Sequence, residues 1–283
     1  MPPKKAFVVG AGRLGCGLLK LLPSAGLEVL GAWSRSATSA RRARRITGMK
    51  VSSGRPPSAI SHADWVFLPV ADQAVSAVCA GLVREGLVGK GQAVVHCSGC
   101  LDLSPLSAAA EAGAEIGSLH VLRSFADPKT AHELFSGALA LIDGNQAMVR
   151  RLSRLARALG SKPVSLSPRP GVSASDARAL YHAAAVLSAG GLVALLDTAA
   201  QTAEAAGLER GAALEGLVGL ARSTLNNLAR SGSPAKAMTG PVARGDEDVI
   251  RRHLEALEGV SPEARLLYRT LNDRAALVVS GKQ

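Results

Sequence analysis

An α/β fold is predicted: a parallel sheet covered by helices in the first part of the chain, then an all-helical domain. Three observations point there. Short β-rich apolar runs alternate with helical stretches up to about residue 167, and a G-x-G-x-x-G pattern closes the first of them. Beyond the segment SPRPGVSAS (167–175) strands vanish and helical runs take over. The boundary falls in that segment, giving domains 1–168 and 169–283.

Strands are expected at 5–9, 28–33, weakly near 49–51, then at 65–69, 93–97, 115–119, 138–142 and 163–166. Between the last two, residues 146–159 carry Met148, Leu152, Leu155 and Leu159 on one face and arginines mostly elsewhere, the pattern of an amphipathic surface helix. The run from Asp176 to Ala206 has no proline and is apolar over much of its circumference. A helix of that length, ~45 Å at 1.5 Å per residue, with Ser173 or Ser175 as N-cap, is expected to be buried on several sides. Further helices are expected at about 210–230, 246–258 and 262–279, joined by SGSP (231–234) and TGPVARGD (239–246).

The 283 residues, 47% of them hydrophobic, can fill a substantial core, and 3% aromatics argue against base-stacking platforms for single-stranded nucleic acid. The formal net charge of +11 is localised. Residues 1–60 hold eleven Lys and Arg against one acid, Glu28. Such a region suits either a polyanion surface or a small, highly charged anion. The N-terminal lysines, apolar run and Cys16 raise the question of a secretion signal, but Arg13 interrupts the run, which reads instead as a strand and turn. No stretch reaches ~18 apolar residues without polar breaks, so no membrane span is expected. Four cysteines without a secretory signal suggest reduced thiols in a cytoplasm.

In VVGAGRLG, Gly10, Gly12 and Gly15 follow a strand and open a helix, with Arg13 and Leu14 between the last two. That context makes the motif a dinucleotide site of Rossmann type: a tight turn, close backbone approach to a pyrophosphate, and close helix–strand packing. The end of the second strand selects the dinucleotide. An acid there would bind a ribose 2′-hydroxyl, but WSRSATSARRARR (33–45) has none, and Ser34, Arg35 and Ser36 suit a 2′-phosphate. NADP(H) is the expected cofactor. It accounts for the basic region without a nucleic-acid partner.

At this point the chain resembles a family: Rossmann-like bacterial proteins with the C-terminal domain of unknown function numbered 2520, relatives of pyrroline-5-carboxylate reductase, 6-phosphogluconate dehydrogenase and deazaflavin-dependent NADP oxidoreductases. The resemblance covers essentially the whole chain. It rests on GAGRLG (10–15), DWVFLPVAD (64–72), HCSG (96–99), SLHVLRSFADP (118–128), LYHAAAVL (180–187) and TGPVARGD (239–246). It implies a C-terminal domain of the 6-phosphogluconate dehydrogenase C-terminal-like type. Two positions depart from the pattern: Val121 stands where Pro is usual, and Gly190 where Asn often lies. The Lys–Asn reaction centre of related β-hydroxyacid dehydrogenases is not evident, so that mechanism does not transfer.

A nicotinamide on the strand carboxyl ends would face Pro69-Val70, Ser98-Gly99 and His120. His120 is either a proton donor to product or a structural histidine tying down the SFADP loop. The resemblance brings Tyr181 and His182 toward the nicotinamide, each a proton donor or else a packing residue; neighbours on a helix point ~100° apart, so one of them is expected to face the cleft. By the same resemblance Arg244 binds a substrate carboxylate, with Asp246 as helix cap, the alternative being a structural Arg–Asp pair. Asn226 is a further pocket candidate. HCSGC (96–100) has thioredoxin-like spacing but lies at a strand end rather than a helix N-terminus, and no second ligand pair for zinc is evident. No metal is expected. These features point to an NADP(H)-dependent oxidoreductase acting on a C=O or C=N bond of a small substrate held between the domains, forming a homodimer through its C-terminal helices. An NADP(H)-binding sensor or scaffold without turnover is the alternative, and neither nucleic acid nor membrane is an expected partner.

Overall fold

The computed structural model describes residues 4–281. Its elements follow the alternation in the sequence: β1 (Lys5–Val9), α1 (Arg13–Leu21), β2 (Glu28–Trp33), α2 (Ala37–Thr47), β3 (Val51–Ser52), β4 (Trp65–Leu68), α3 (Asp72–Arg84), β5 (Ala93–His96), α4 (Ser107–Glu111), β6 (Glu115–Val121), β7 (Leu139–Gly144), α5 (Gln146–Ala158) and β8 (Lys162–Val164). The eight strands form one sheet in the order β3-β2-β1-β4-β5-β6-β7-β8. The order reverses between β1 and β4, and a crevice opens at such a switch point beyond the strand carboxyl ends.

Both faces of the sheet are buried, and the period of two along each strand divides them. Ala6, Val8, Trp65, Phe67, Ala93 and Val95 enter one core with residues of α1, α2 and α5. Phe7, Val9, Val66, Leu68 and Val94 enter the other with residues of α3 and α4. Helices on both faces are what a parallel sheet requires. The α5 face expected from sequence is the one buried, with Met148 and Leu152 fully enclosed.

One pairing differs from a wholly parallel sheet: β6 and β7 are antiparallel. A parallel return needs a crossover, usually a helix, whereas residues 122–138 contain only the single 3₁₀ turn Glu133–Phe135, so the chain doubles back instead.

After β8 the chain is helical: α6 (Ala174–Val186), a π turn (Leu187–Gly191), α7 (Leu192–Ala205), α8 (Arg210–Ser231), α9 (Pro234–Ala237), α10 (Pro241–Arg244), α11 (Glu247–Glu258) and α12 (Pro262–Ser280). The Gly/Pro segments expected to be connectors contain the one-turn helices α9 and α10, each with proline in its first turn, where the missing N–H costs nothing. Residues 174–205 form one continuous helix, and Ser173 caps it by accepting from the Asp176 N–H at 3.0 Å.

The expectation that this helix is buried on several sides is corrected: its most apolar 18-residue window, mean hydropathy 1.8, is 0% buried. By length and composition alone it is long enough to cross a membrane, because a helix tolerates the scattered polar residues that break the apolar run. Two compact units divide the chain, one ending at Ala185 and one starting at Val186, so the first half of this helix goes with the sheet.

Candidate functional site

The three glycines after β1 stand in three different settings, and the fold itself demands glycine at two of them. Gly10 has φ +117°, and a side chain there would press on Val70 and the Pro69 carbonyl; a Cβ at Gly15 would collide with the Gly10 carbonyl oxygen. Gly12, the N-cap of α1, has open space where its Cβ would be. That is the cradle a pyrophosphate needs: room beside a backbone whose helix N–H groups are free to donate. Arg13 is exposed at the first helical position, and Leu14 packs on the core.

At the end of β2, Ser34 is buried and Arg35 exposed, while the Ser36 hydroxyl caps α2 by accepting from Ser39 N–H at 3.3 Å. Arg35 lines a cleft of about 520 Å³ together with Trp33, Ala71, Ala74 and Val78, a shape and polarity that accept a purine ring beside a guanidinium.

HCSGC proves to be a hydrogen-bonded loop. The Ser98 hydroxyl donates to Asp72 at 2.7 Å and accepts from the N–H groups of Cys100 and Leu101. His96 accepts from Ser98 N–H through Nδ1 and bonds the Asp102 carbonyl through Nε2. Burial, helped by the Arg178 charge, pushes its pKa down to about 4, so the ring is neutral. All four cysteines are free, and burial pushes the Cys97 thiol up to about 12. Among the described residues no cluster suited to a metal ion occurs.

His120, Tyr181 and His182 come together. His120 Nδ1 lies 3.0 Å from the Tyr181 hydroxyl with the rings edge to face, and the His182 ring centroid is 6.2 Å away. A Cβ at Gly99 would sit 2.8 Å from His182 and 2.9 Å from His120, so only glycine lets both rings close on this loop. Burial first, then the charges of His182 and Arg178, pushes His120 down to about 4, and burial raises the Tyr181 hydroxyl. At neutral pH this is an uncharged, proton-bearing pair.

Residues 2–121 match a Rossmann-like domain, and residues 138–275 match the domain of unknown function DUF2520. Together the two matches span most of the chain. No curated protein matches it. Among solved structures it is similar to protein TM1727 from Thermotoga maritima, at 22% identity and TM-score 0.72, covering 98% of each chain. It is also similar to a putative NADP oxidoreductase, BF3122, from Bacteroides fragilis, at 20% identity and TM-score 0.73, covering 97% of this chain and 98% of that one. A third is a reductive aminase from Aspergillus terreus in complex with NADPH and ethyl-5-oxohexanoate, at 18% identity and TM-score 0.64, covering 99% and 95%. At these identities the likeness establishes the fold.

Within the DUF2520 match the two substrate candidates belong to the helical unit. Arg244 donates to Asp246 at 2.9 Å, the structural pairing considered from sequence, and Asp246 spends its carboxylate there rather than capping α11. Asn226 is exposed on α8. Two residues that organise this loop escaped the sequence reading: Asp72, which anchors Ser98, and Arg178, which donates from Nε to the Leu101 carbonyl and from Nη2 to the Ser98 carbonyl, both at 2.8 Å. The available signal was spacing, since Arg178, Tyr181 and His182 fall at i, i+3 and i+4 on one helix face.

Proposed function

We propose that this Rossmann-like/DUF2520 protein is an NADP(H)-dependent oxidoreductase that moves hydride to or from a C=O or C=N bond of a small substrate. The observation that carries the reading is the His120–Tyr181 pair against Gly99, at the carboxyl ends of β5 and β6, on the same edge of the sheet as the glycine loop after β1. NADPH, when bound, supplies the hydride. The chain's own residues hold the proton. Tyr181 donates to Nδ1 of the neutral His120, which leaves a proton on Nε2 beside Gly99. As Nε2 passes that proton to the oxygen or nitrogen that gains charge on reduction, the Tyr181 proton moves to Nδ1 and the negative charge ends on the Tyr181 oxygen, which is reprotonated from solvent. Gly10, Gly12 and Gly15 with Arg13 and Leu14 hold the pyrophosphate, Ser34, Arg35 and Ser36 the 2′-phosphate, and Pro69, Val70, Ser98 and Gly99 flank the nicotinamide. The similarity to structures described as binding NADPH or reducing imines supports this reading at the level of the fold. The substrate pocket reading keeps Arg244 and Asn226, and the exposed apolar C-terminal helices support a homodimer.

Arg35→Ala tests the cofactor. NADPH affinity, measured by fluorescence titration, falls about tenfold to a hundredfold, the value of a charge-assisted hydrogen bond, while NADH affinity stays nearly constant. Equal losses would make the 2′-phosphate assignment wrong. A screen of NADPH oxidation over ketoacids, ketones and cyclic imines tests turnover, and tight binding with no oxidation favours the sensor.

A further inference from the structure

Helix α6 is inverted. Its one buried residue is Arg178, 2% exposed, while Leu180 on the same helix is 63% exposed. An arginine enclosed at that depth gives up its hydration, so a residue with only a packing task would be apolar. Arg178 has no ion pair among the described residues; two of its nitrogens go to main-chain carbonyls, and Nη1 is enclosed without a hydrogen-bond partner.

We infer that Arg178 is the positioning residue of this site: its guanidinium bridges the Ser98 and Leu101 carbonyls and thereby holds Gly99 against the rings of His120 and His182. The fork suits this task, because two N–H groups diverging from one plane fix both the distance and the tilt of the loop. The same bridge puts a permanent positive charge near His120. The other groups facing that ring are His182 and Tyr181, also from α6, and Asp72 from the start of α3, which pulls in the opposite direction. Arg178 touches no reacting atom. It sets the geometry and charge state of the residues that do, and the inference rests on the reading of His120 as the proton-handling group.

The test uses the full chain with isotope-labelled histidine, comparing Arg178→Met and Arg178→Lys with wild type. The His120 titration and the amide exchange of residues 99–101 are followed by NMR, neither of which requires a substrate. Arg178→Met raises the His120 midpoint from about 4 by a fraction of a pH unit, since burial and His182 hold it down more strongly than Arg178 does. It also speeds exchange in the loop by about tenfold or more, as local opening becomes easier. Arg178→Lys keeps the midpoint low, because the charge remains, but speeds exchange, because the fork is lost. Unchanged exchange in both variants overturns the positioning role, and an unchanged midpoint in Arg178→Met overturns the electrostatic part. If Arg178→Met does not fold, exchange in Arg178→Lys decides. A failed substrate screen alongside these NMR shifts would sink the oxidoreductase reading and leave the clamp intact.

Discussion

The two units handle apolar side chains in opposite ways. In the first, phenylalanines and leucines from both faces of the sheet are fully enclosed, Phe7, Phe67, Phe135, Leu18 and Leu68 among them. From Val186 onward the buried apolar residues among those described are Ala200, Ala213, Ala237, Leu257 and Ala264, while thirteen large aliphatic residues stand exposed. Where the first unit has a filled core, the second has an apolar groove of about 550 Å³ between α7, α11 and α12, with the hydrogen-bonded His253–Tyr268 pair in its lining. The sheet unit encloses its large apolar side chains within itself. The helical unit leaves many of its own exposed, and the proposed homodimer through these helices would cover them.

Both tryptophans, Trp33 and Trp65, belong to the sheet unit, so their fluorescence follows that unit alone while circular dichroism is dominated by the helices. The contrast is sharpened most by Phe67→Ala. Truncating a fully buried phenylalanine costs about 3–5 kcal/mol, read as an earlier denaturant midpoint in fluorescence. A loss under about 1 kcal/mol would mean that the sheet core repacks as readily as a surface.

Acid gives the next largest effect. His96 and His120 have folded pKa values pushed down to about 4, against 6.5 unfolded, so between those values the unfolded chain binds more protons. Stability is then nearly complete above about pH 6.5 and is lost as the pH falls toward 4, by roughly 2 kcal/mol per ring between pH 7 and pH 5. A flat fluorescence midpoint over that range would show that neither ring is held neutral by the fold.

The smallest change in fold stability is expected for Leu187→Ser with Val193→Ser, at positions 74% and 68% exposed: under about 0.5 kcal/mol in the fluorescence transition. Sedimentation is the decisive measurement here. If a second copy covers these helices, the double variant falls to the mass of one chain, and an unchanged mass removes this face from the interface.

The eight strands were legible because each is a short apolar run with its own turn signals, and the glycine loop because its spacing and strand–helix context are specific. The direction of β7 was not, since it depends on what fills residues 122–138 rather than on the strand itself. The long helix misled for a related reason: apolar periodicity marks a face that wants cover, and says nothing of whether the same chain supplies it. In the site, His120 and Tyr181 were readable as candidates by residue type and position. Arg178 was passed over because one charge in an apolar helix reads as the residue that faces water, and here it faces the protein. The role of Ser98 was hidden as well, because its hydroxyl is committed to Asp72 and two loop N–H groups that only the fold brings near.

The HCSGC loop also determines how this molecule can be observed. Cys16, Cys79 and Cys97 are enclosed, and Cys100 alone is partly open to solvent. A thiol-reactive dye under native conditions thus has one address, two residues from the carbonyl that Arg178 holds through Nη2. The wild-type chain can be labelled there without engineering, and the rate at which Cys100 takes the label becomes a clock for how often that loop lets go.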